Sequence, residues 1–533
     1  MPEQFPTTNS VSRRSVLLGG AAALGAASLG GSDIARAATT RGAGRAAKLG
    51  PYFNLGVASG DPLPDGFVLW TRLAPNPTAE DGLGGMPDKT VPVDWELATD
   101  EKFANIVRKN TVDAVPDSAH SVHVELDGLD PGTEYFYRFR AEGNYSDVGR
   151  TRTAPAAGTM GDLTVCFASC AHYGEGLFTA YRRIAEDQPG LILHLGDYQY
   201  EYEGKSEDIR DVLGPETVSL ANYRQRHAQY KTDLDLQAAH AIAPWLVVFD
   251  DHEVENNWAD EIPEDGSQTP GEDFLARRTA ALQAYYENMP LRSSAKPSGK
   301  DMKLYRRYSW GGLATFHMLD TRQYRSDQAC DDGWNDVSSG SCKEEWEDQS
   351  RTLTGTDQRE WLLDGFNNSS ARWDVLGQQV FFAQRERGKG NGSELHMDGW
   401  DGYPSDQDAI LAAMGNSKVR NGVVFTGDVH RHYAGELKEN YDDPDSPNLG
   451  VELVTTSVTS GGNGGDDTND EIMQANPHLK FYKNRRGYVR TKFTEGELRA
   501  DFRVLSSVTS EGAEATTEQT FVVNDGEHKL NPT

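Results

Sequence analysis

The sequence predicts an α/β protein that carries an all-β sandwich near its N-terminal end. Three observations lead there. Between residues 50 and 155, apolar and polar residues alternate in short runs divided by turn clusters, which is the period of half-buried strands. From residue 160 onward the runs become continuously apolar and β-branched and alternate with helical patterns, as in a sheet covered on both faces. The length, 533 residues, suits two or three domains rather than one.

The first segment reads as a targeting signal. "SRRSVLLGGAAALGAASLGG" sets Arg13 and Arg14 before a weakly apolar run, and Ala35 to Ala37 form a small-residue cleavage site. Residues 1–37 are therefore expected to be a twin-arginine signal, with a general secretory signal as the alternative. The mature, secreted chain would begin near Ala38. That pathway exports folded proteins, which hints at a metal chosen in the cytoplasm.

Residues 50–155 form the predicted sandwich. "GFVLWTRL", "VPVDWELAT", "HSVHVELDGL" and "TEYFYRFRAEG" are its strands, and "LDPGTEYFYRF" resembles the corner and strand of fibronectin-type domains. "TAPAAGTMGD" (153–162) reads as a linker. The domain of residues 160–533 then opens with the strand "LTVCFASC", the helix "GLFTAYRRIAED" and the strand "GLILHLGD". A helical stretch over 219–240 leads to the strand "APWLVVFDDHE", and "LATFHMLDTR", "WDVLGQQVFFAQ" and "NGVVFTGDVH" continue the plan. The tail, "GYVRTKFTEGELRADFRVLS" and "EQTFVVND", alternates again and adds antiparallel strands; "TSGGNGGDDTNDE" (459–471) is a loop.

Composition narrows the function. Hydrophobic residues make up 37% of the chain, and no apolar run in the mature region reaches the ~20 residues of a spanning helix. A formal net charge of −30 argues against nucleic acid or an anionic membrane surface as an electrostatic partner. Four cysteines exclude a disulfide scaffold. Cys330 and Cys342 flank a polar loop and make a plausible disulfide in an exported protein. Along a strand Cys166 and Cys170 would lie ~13 Å apart, too far for a bridge. Cys166 is then a core residue, and Cys170, at a strand end, is a free thiol for which metal ligation is one reason.

Several predicted strands end in metal-ligand side chains. One ends at Cys170, with His172 after it. "GDYQY" supplies Asp197 and Tyr200, "DDHEVENN" supplies Asp250, Asp251, His252, Asn256 and Asn257, and "GDVHRH" supplies Asp428, His430 and His432. Carboxyl ends of strands line the crevice of an α/β sheet, so these side chains are expected to meet. Phenolate and thiolate favour a trivalent iron, whereas carboxylate and amide oxygens suit calcium or another hard divalent ion. Asp197 lies between the two sets and is the candidate bridge. Gly196 would let the chain turn there, and Tyr200 can return to the same ion only if the strand stops.

These motifs, with "GVASGDPLPDGFVLWTRL", "DDHEVENNW", "LDTRQYRSD", "GQQVFFAQ" and "TSGGNG", resemble the PhoD-type alkaline phosphatases over nearly the whole mature chain. That group is similar to the purple acid phosphatases and includes a secreted streptomycete phospholipase D. The resemblance implies a calcineurin-like metallophosphoesterase β-sandwich flanked by helices, with a fibronectin-like N-terminal domain. It also implies an iron(III)–calcium site that hydrolyses phosphate esters.

Carried over position by position, Cys170, Asp197, Tyr200 and His430 match the iron-side ligands, with Asp197 bridging. Asp251 falls at the asparagine of the superfamily's "GNHE" and His252 at its phosphate-contacting histidine. Asp428 replaces the first histidine of "GHxH" and would join Asp251 on the calcium side. Gln378 and Gln379 replace a histidine ligand of the purple acid enzymes. Asn256 and Asn257 are both candidates for calcium or phosphate, and Asn257 is taken as catalytic together with His252 and Asp197. Arg385 joins it as a bidentate phosphate clamp, a surface ion pair being its alternative. Arg322 is expected to pair with Asp320 or another buried acid. Trp400 and Tyr403 are read either as pocket-mouth or as packing aromatics, and Tyr198 and Tyr202 as packing residues.

The function expected is a secreted metal-dependent hydrolase of phosphomonoesters, with phosphodiesters also in range. One rival is a phospholipase D using the same metals on phosphatidylcholine-type lipids, with specificity set by the loops around 260–300 and 390–405. The other is a non-catalytic surface binding protein, which would lack the colour of an iron–tyrosinate or iron–thiolate centre.

Overall fold

The computed structural model describes residues 51–264, 273–330, 332–388, 394–415 and 418–533. The signal segment 1–37 lies outside them, as does part of each specificity loop.

Short runs that are buried on both faces make the central strands. Val57–Leu63 (β1), Gly66–Arg72 (β2), Ser121–Leu126 (β3), Leu163–Ala168 (β4), Leu191–Leu195 (β5) and Pro244–Val248 (β6) belong to one sheet. Ala314–Met318 (β7), Trp373–Gly377 (β8), Gly422–Thr426 (β9) and Asn448–Val454 (β10) belong to a second. The tail strands Gly487–Phe493 (β11), Glu497–Leu505 (β12) and Ala515–Asn524 (β13) return to the first sheet, β11 lying antiparallel to β4. That sheet runs Asn531–Pro532, β13, β12, β11, β4, β5, β6, β1, β2, β3, and the second runs Arg306–Trp310, β7, β8, β9, β10, His432–Lys438, Leu479–Lys483. The pairs β4–β5, β5–β6, β7–β8, β8–β9 and β9–β10 are parallel.

One apolar core spans the two sheets, and Phe167 of β4 stacks on Phe425 of β9 at 4.1 Å. Face-to-face sheets explain why these strands are apolar without a gap, since both faces are covered. Helices Thr179–Asp187 (α1), Leu220–Lys231 (α2), Leu234–Ile242 (α3) and Phe274–Asn288 (α4) pack with the first sheet. The starts of α2, α3 and α4 are capped by side chains. Ser219 and Asn222 form a reciprocal capping box on α2, Asp233 caps α3 and Asp273 caps α4.

The N-terminal region is a sandwich that shares a layer with the main sheet. One layer is a five-stranded sheet that includes Val91–Ala98, Ile106–Ala114 and Glu134–Ala141; the other is β1, β2 and β3. β1 runs parallel to β6, with Ser59 opposite Pro244 and Gly60 opposite Trp245. A Cβ at Gly60 would lie 2.3 Å from the Pro290 carbonyl oxygen, so the junction needs glycine. The expected corner is present in Tyr135, whose hydroxyl accepts the Asp130 N–H at 3.2 Å. Cys330 and Cys342 are bonded, and Cys166 and Cys170 are free and buried.

Candidate metal centre

The ligand-bearing residues stand just beyond the carboxyl ends of β4, β5, β6 and β9. β5 stops at Leu195, as Gly196 requires. Gly196 has φ +102°, and a Cβ there would lie 2.4 Å from the Asp250 Cβ. Cys170, Asp197, Asp428 and His430 then adopt left-handed φ of 60°, 54°, 61° and 57°. Non-glycine residues avoid this region, and four such positions at one crevice are the backbone strain that functional sites store.

Two triads of donor atoms result. Cys170, Asp197 and His430 offer atoms within 4.8 Å of one another, and so do Asp197, Asp251 and His252. Asp197 belongs to both. Tyr200 curls back to the first triad, its hydroxyl donating to Asp197 Oδ2 at 2.9 Å and lying 3.1 Å from His430 Nε2. Asp428 and Arg385 lie outside both triads. Arg385 is half-buried beneath its guanidinium's contacts with the Phe381 and Trp334 rings, and its backbone N–H goes to Asp401. The Asn257 amide turns to Asp332 at 3.2 Å, while its backbone N–H donates to Asp251 Oδ2 at 2.8 Å; the Asn256 amide donates to Glu264.

The electrostatics of the crevice fit a multivalent cation. Burial, then the charge of Asp197, pushes the Cys170 thiol well up, and burial, then Asp197 and Cys170, does the same to Tyr200. Burial raises Asp197 despite the neighbouring His252, and burial with Asp398 and Asp251 raises Asp428 to about 6. Desolvation, then Arg486, holds His430 near its neutral form at about 3. Thiol, phenol and carboxylates thus crowd around a neutral imidazole in one place where their anionic forms repel, and a bound cation inverts that balance. Asp197 Oδ1 is a buried oxygen with no hydrogen-bond partner among the described residues, which suits a metal bond.

Supporting residues escape a reading based on ligand types alone. The Glu253 carboxylate accepts the backbone N–H of Asp197 (3.1 Å), Tyr198 (2.5 Å) and Asp250 (2.9 Å), tying two ligand loops together. Glu201 lies 2.8 Å from His252 Nδ1, and its other oxygen accepts the Asn256 N–H. Burial opposes the imidazolium, yet Glu201, Asp251 and Asp197 hold His252 well above the ordinary histidine range. The only signal for either glutamate was an acid inside an otherwise buried motif.

The remaining expectations divide. Arg322 is buried and pairs with Asp250 (2.7 Å) and both oxygens of Asp398 (2.8 and 2.9 Å), while Asp320 takes its backbone N–H. Gln378 and Gln379 spend their amides on Val380, Thr426, Phe249, Leu319 and Thr321, away from the ligands. His432 bonds backbone groups of Thr456 and Arg503. Trp400 and Tyr403 are packing aromatics, bonded to Gln378 and the Ser326 carbonyl. Tyr198 meets His240 in the core, but Tyr202, read as packing, presents its ring to His252 at 5.3 Å.

Comparison with known proteins gives a consistent result. Residues 164–502 match the PhoD-like phosphatase family, and residues 37–155 match the PhoD-like phosphatase N-terminal domain. The chain is 48% identical over 479 residues to alkaline phosphatase D of Bacillus subtilis (strain 168), covering 88% of this chain and 80% of that protein. A solved structure of PhoD superposes with a TM-score of 0.86 at 47% identity, covering 90% of this chain and 92% of that one. Purple acid phosphatase PPD1 from yellow lupin shares the fold, with a TM-score of 0.53 at 12% identity, over 88% of this chain and 74% of that one. The chain therefore belongs to the PhoD-like phosphatase family and is a homologue of alkaline phosphatase D, a phosphoric ester hydrolase.

Proposed function

We propose that this protein is an exported phosphoesterase that holds iron(III) through Cys170, Asp197, Tyr200 and His430, and calcium through Asp197, Asp251 and Asp428. The observation that carries this reading is the sharing of Asp197 by two donor triads. The division of donors across the crevice, strongly donating thiolate and phenolate on one side and carboxylates on the other, supports the choice of ions. When bound, such a metal pair supplies Lewis acidity that activates water and neutralises phosphoryl oxygens.

The chain's own residues do the rest. Glu201 fixes His252 through Nδ1, which leaves Nε2 to steady or protonate the leaving oxygen. Arg385, whose Nε has no hydrogen-bond partner among the described residues, supplies positive charge for a phosphate oxygen. Asn257 holds Asp251 by its backbone N–H. Export by a twin-arginine signal over residues 1–37, and the division into a sandwich (50–155) and a catalytic domain (160–533), belong to the same reading. The family's phosphatase name favours phosphomonoesters.

Asp197→Ala should lose both bound metals and turnover, as measured by elemental analysis and hydrolysis of p-nitrophenyl phosphate. A variant that kept full activity would sink the proposal. The same assay run with bis-p-nitrophenyl phosphate and phosphatidylcholine separates monoesterase, diesterase and phospholipase D activity.

A further inference from the structure

Among the described residues, Tyr200 has one hydrogen-bonding neighbour at its phenolic oxygen that is not itself assigned to a metal. Ser460 Oγ lies 2.8 Å from that oxygen, inside the crevice and 2% exposed. The hydroxyl also lies 2.9 Å from the Cys170 carbonyl. That carbonyl already accepts the backbone N–H groups of Thr459 (3.3 Å) and Ser460 (3.4 Å). A serine has one proton to give, and an anionic oxygen outcompetes a satisfied carbonyl for it.

The serine is fixed from behind. Its carbonyl accepts Ser457 Oγ at 2.6 Å and the buried Arg486 guanidinium, which also donates to Ser457 Oγ at 2.6 Å. Neighbouring hydroxyls grip the same side of the crevice, with Thr456 donating to the His430 carbonyl (3.0 Å) and Thr459 to the His172 carbonyl (2.7 Å). A glycine-rich stretch that reads as an ordinary loop is thus a rack of hydroxyl donors behind the Tyr200 side.

We propose that Ser460, held by Arg486, is a positioning residue that hydrogen-bonds the Tyr200 phenolate and weakens its donation to the trivalent ion. Outer hydrogen bonds of this kind orient a ligand and set its basicity. The inference rests on the iron(III) assignment made above. Its signature is spectroscopic, because a phenolate relieved of a hydrogen bond is more easily oxidised and its charge-transfer band falls in energy.

The test uses the full-length iron-loaded protein and its Ser460→Ala, Ser460→Thr and Tyr200→Phe variants. Ser460→Ala should keep its iron, move the visible band to longer wavelength and lose the D2O sensitivity of the tyrosinate C–O stretch in resonance Raman. Ser460→Thr, which keeps the hydroxyl, should restore both. If Ser460→Ala matches the wild type in both while Tyr200→Phe abolishes the tyrosinate C–O stretch, the role of Ser460 is overturned and the iron–tyrosinate assignment stands. A colourless iron-loaded wild type, or a tyrosinate C–O stretch that survives Tyr200→Phe, overturns that assignment and the inference with it. Should Ser460→Ala lose iron, the wild type decides, since a C–O stretch indifferent to D2O refutes the hydrogen bond.

Discussion

Arg322 shows how much of the site is carried by residues that are not themselves candidate metal ligands. It is fully buried between Asp250 and Asp398, with Asp251 Oδ2 at 3.8 Å. Burial disfavours the Asp398 carboxylate, but Arg322 and Arg325 hold it well below the usual range. Replacing Arg322 with Met leaves the carboxylates buried and short of a partner, which costs about 3–5 kcal/mol. Chemical denaturation should register that loss, and an unchanged midpoint would contradict the structural role. At this scale the ligand types were legible because each is a metal donor placed after an apolar run. Glu201, Glu253 and Ser460 were not, because their partners come from loops distant in sequence. Glu253 meets Asp197, and Ser460 meets Tyr200 across 260 positions.

Strand ends are where local sequence becomes site geometry. β5 is a five-residue apolar strand that stops because Gly196 takes a positive φ, and that turn aims both Asp197 and Tyr200 at one place. Gly196→Ala adds a Cβ against Asp250 as well as strain at φ +102°. We expect it to cost more than the ~1–3 kcal/mol of strain alone and to lower metal stoichiometry. Gly158→Ala is the matched control, since Gly158 also has positive φ, +77°, but has open space around it. If both variants unfold at the same denaturant concentration, close approach to Asp250 is not what Gly196 serves. The helix starts were equally local, set by Ser219, Asp233 and Asp273.

Across the whole molecule, buried histidines tie stability to pH. Burial, then Lys231, holds His194 and His227 at about 3, and burial holds His478 at about 4 despite its bond to the Gln384 carbonyl. They stay neutral in the folded state, whereas the unfolded chain takes up protons below about pH 6.5. Stability is therefore full above that value and declines as pH falls toward about 3–4, by at most about 1.4 kcal/mol per pH unit for each histidine. Urea midpoints should drop steadily between about pH 7 and about pH 4.5, and a flat profile would count against neutral burial. Among the described residues no helix is long and apolar enough to cross a membrane.

The sequence by itself determined the elements and the donor types. Period-2 patterns marked the N-terminal strands, unbroken apolar runs marked the central ones, and the order of Cys170, Asp197, Asp251 and His430 after those runs marked a metal site. These are properties of neighbouring residues, set by local sterics and hydrophobic periodicity. Tertiary structure alone decided what sits beside what. It joined β1 to β6, so that the sandwich and the main sheet share a layer, and it made one aspartate common to two donor triads. It also turned four candidate-ligand backbones into the left-handed region and placed Ser460 on Tyr200. Such pairings depend on strand order and on packing between segments hundreds of residues apart, and no local pattern encodes them.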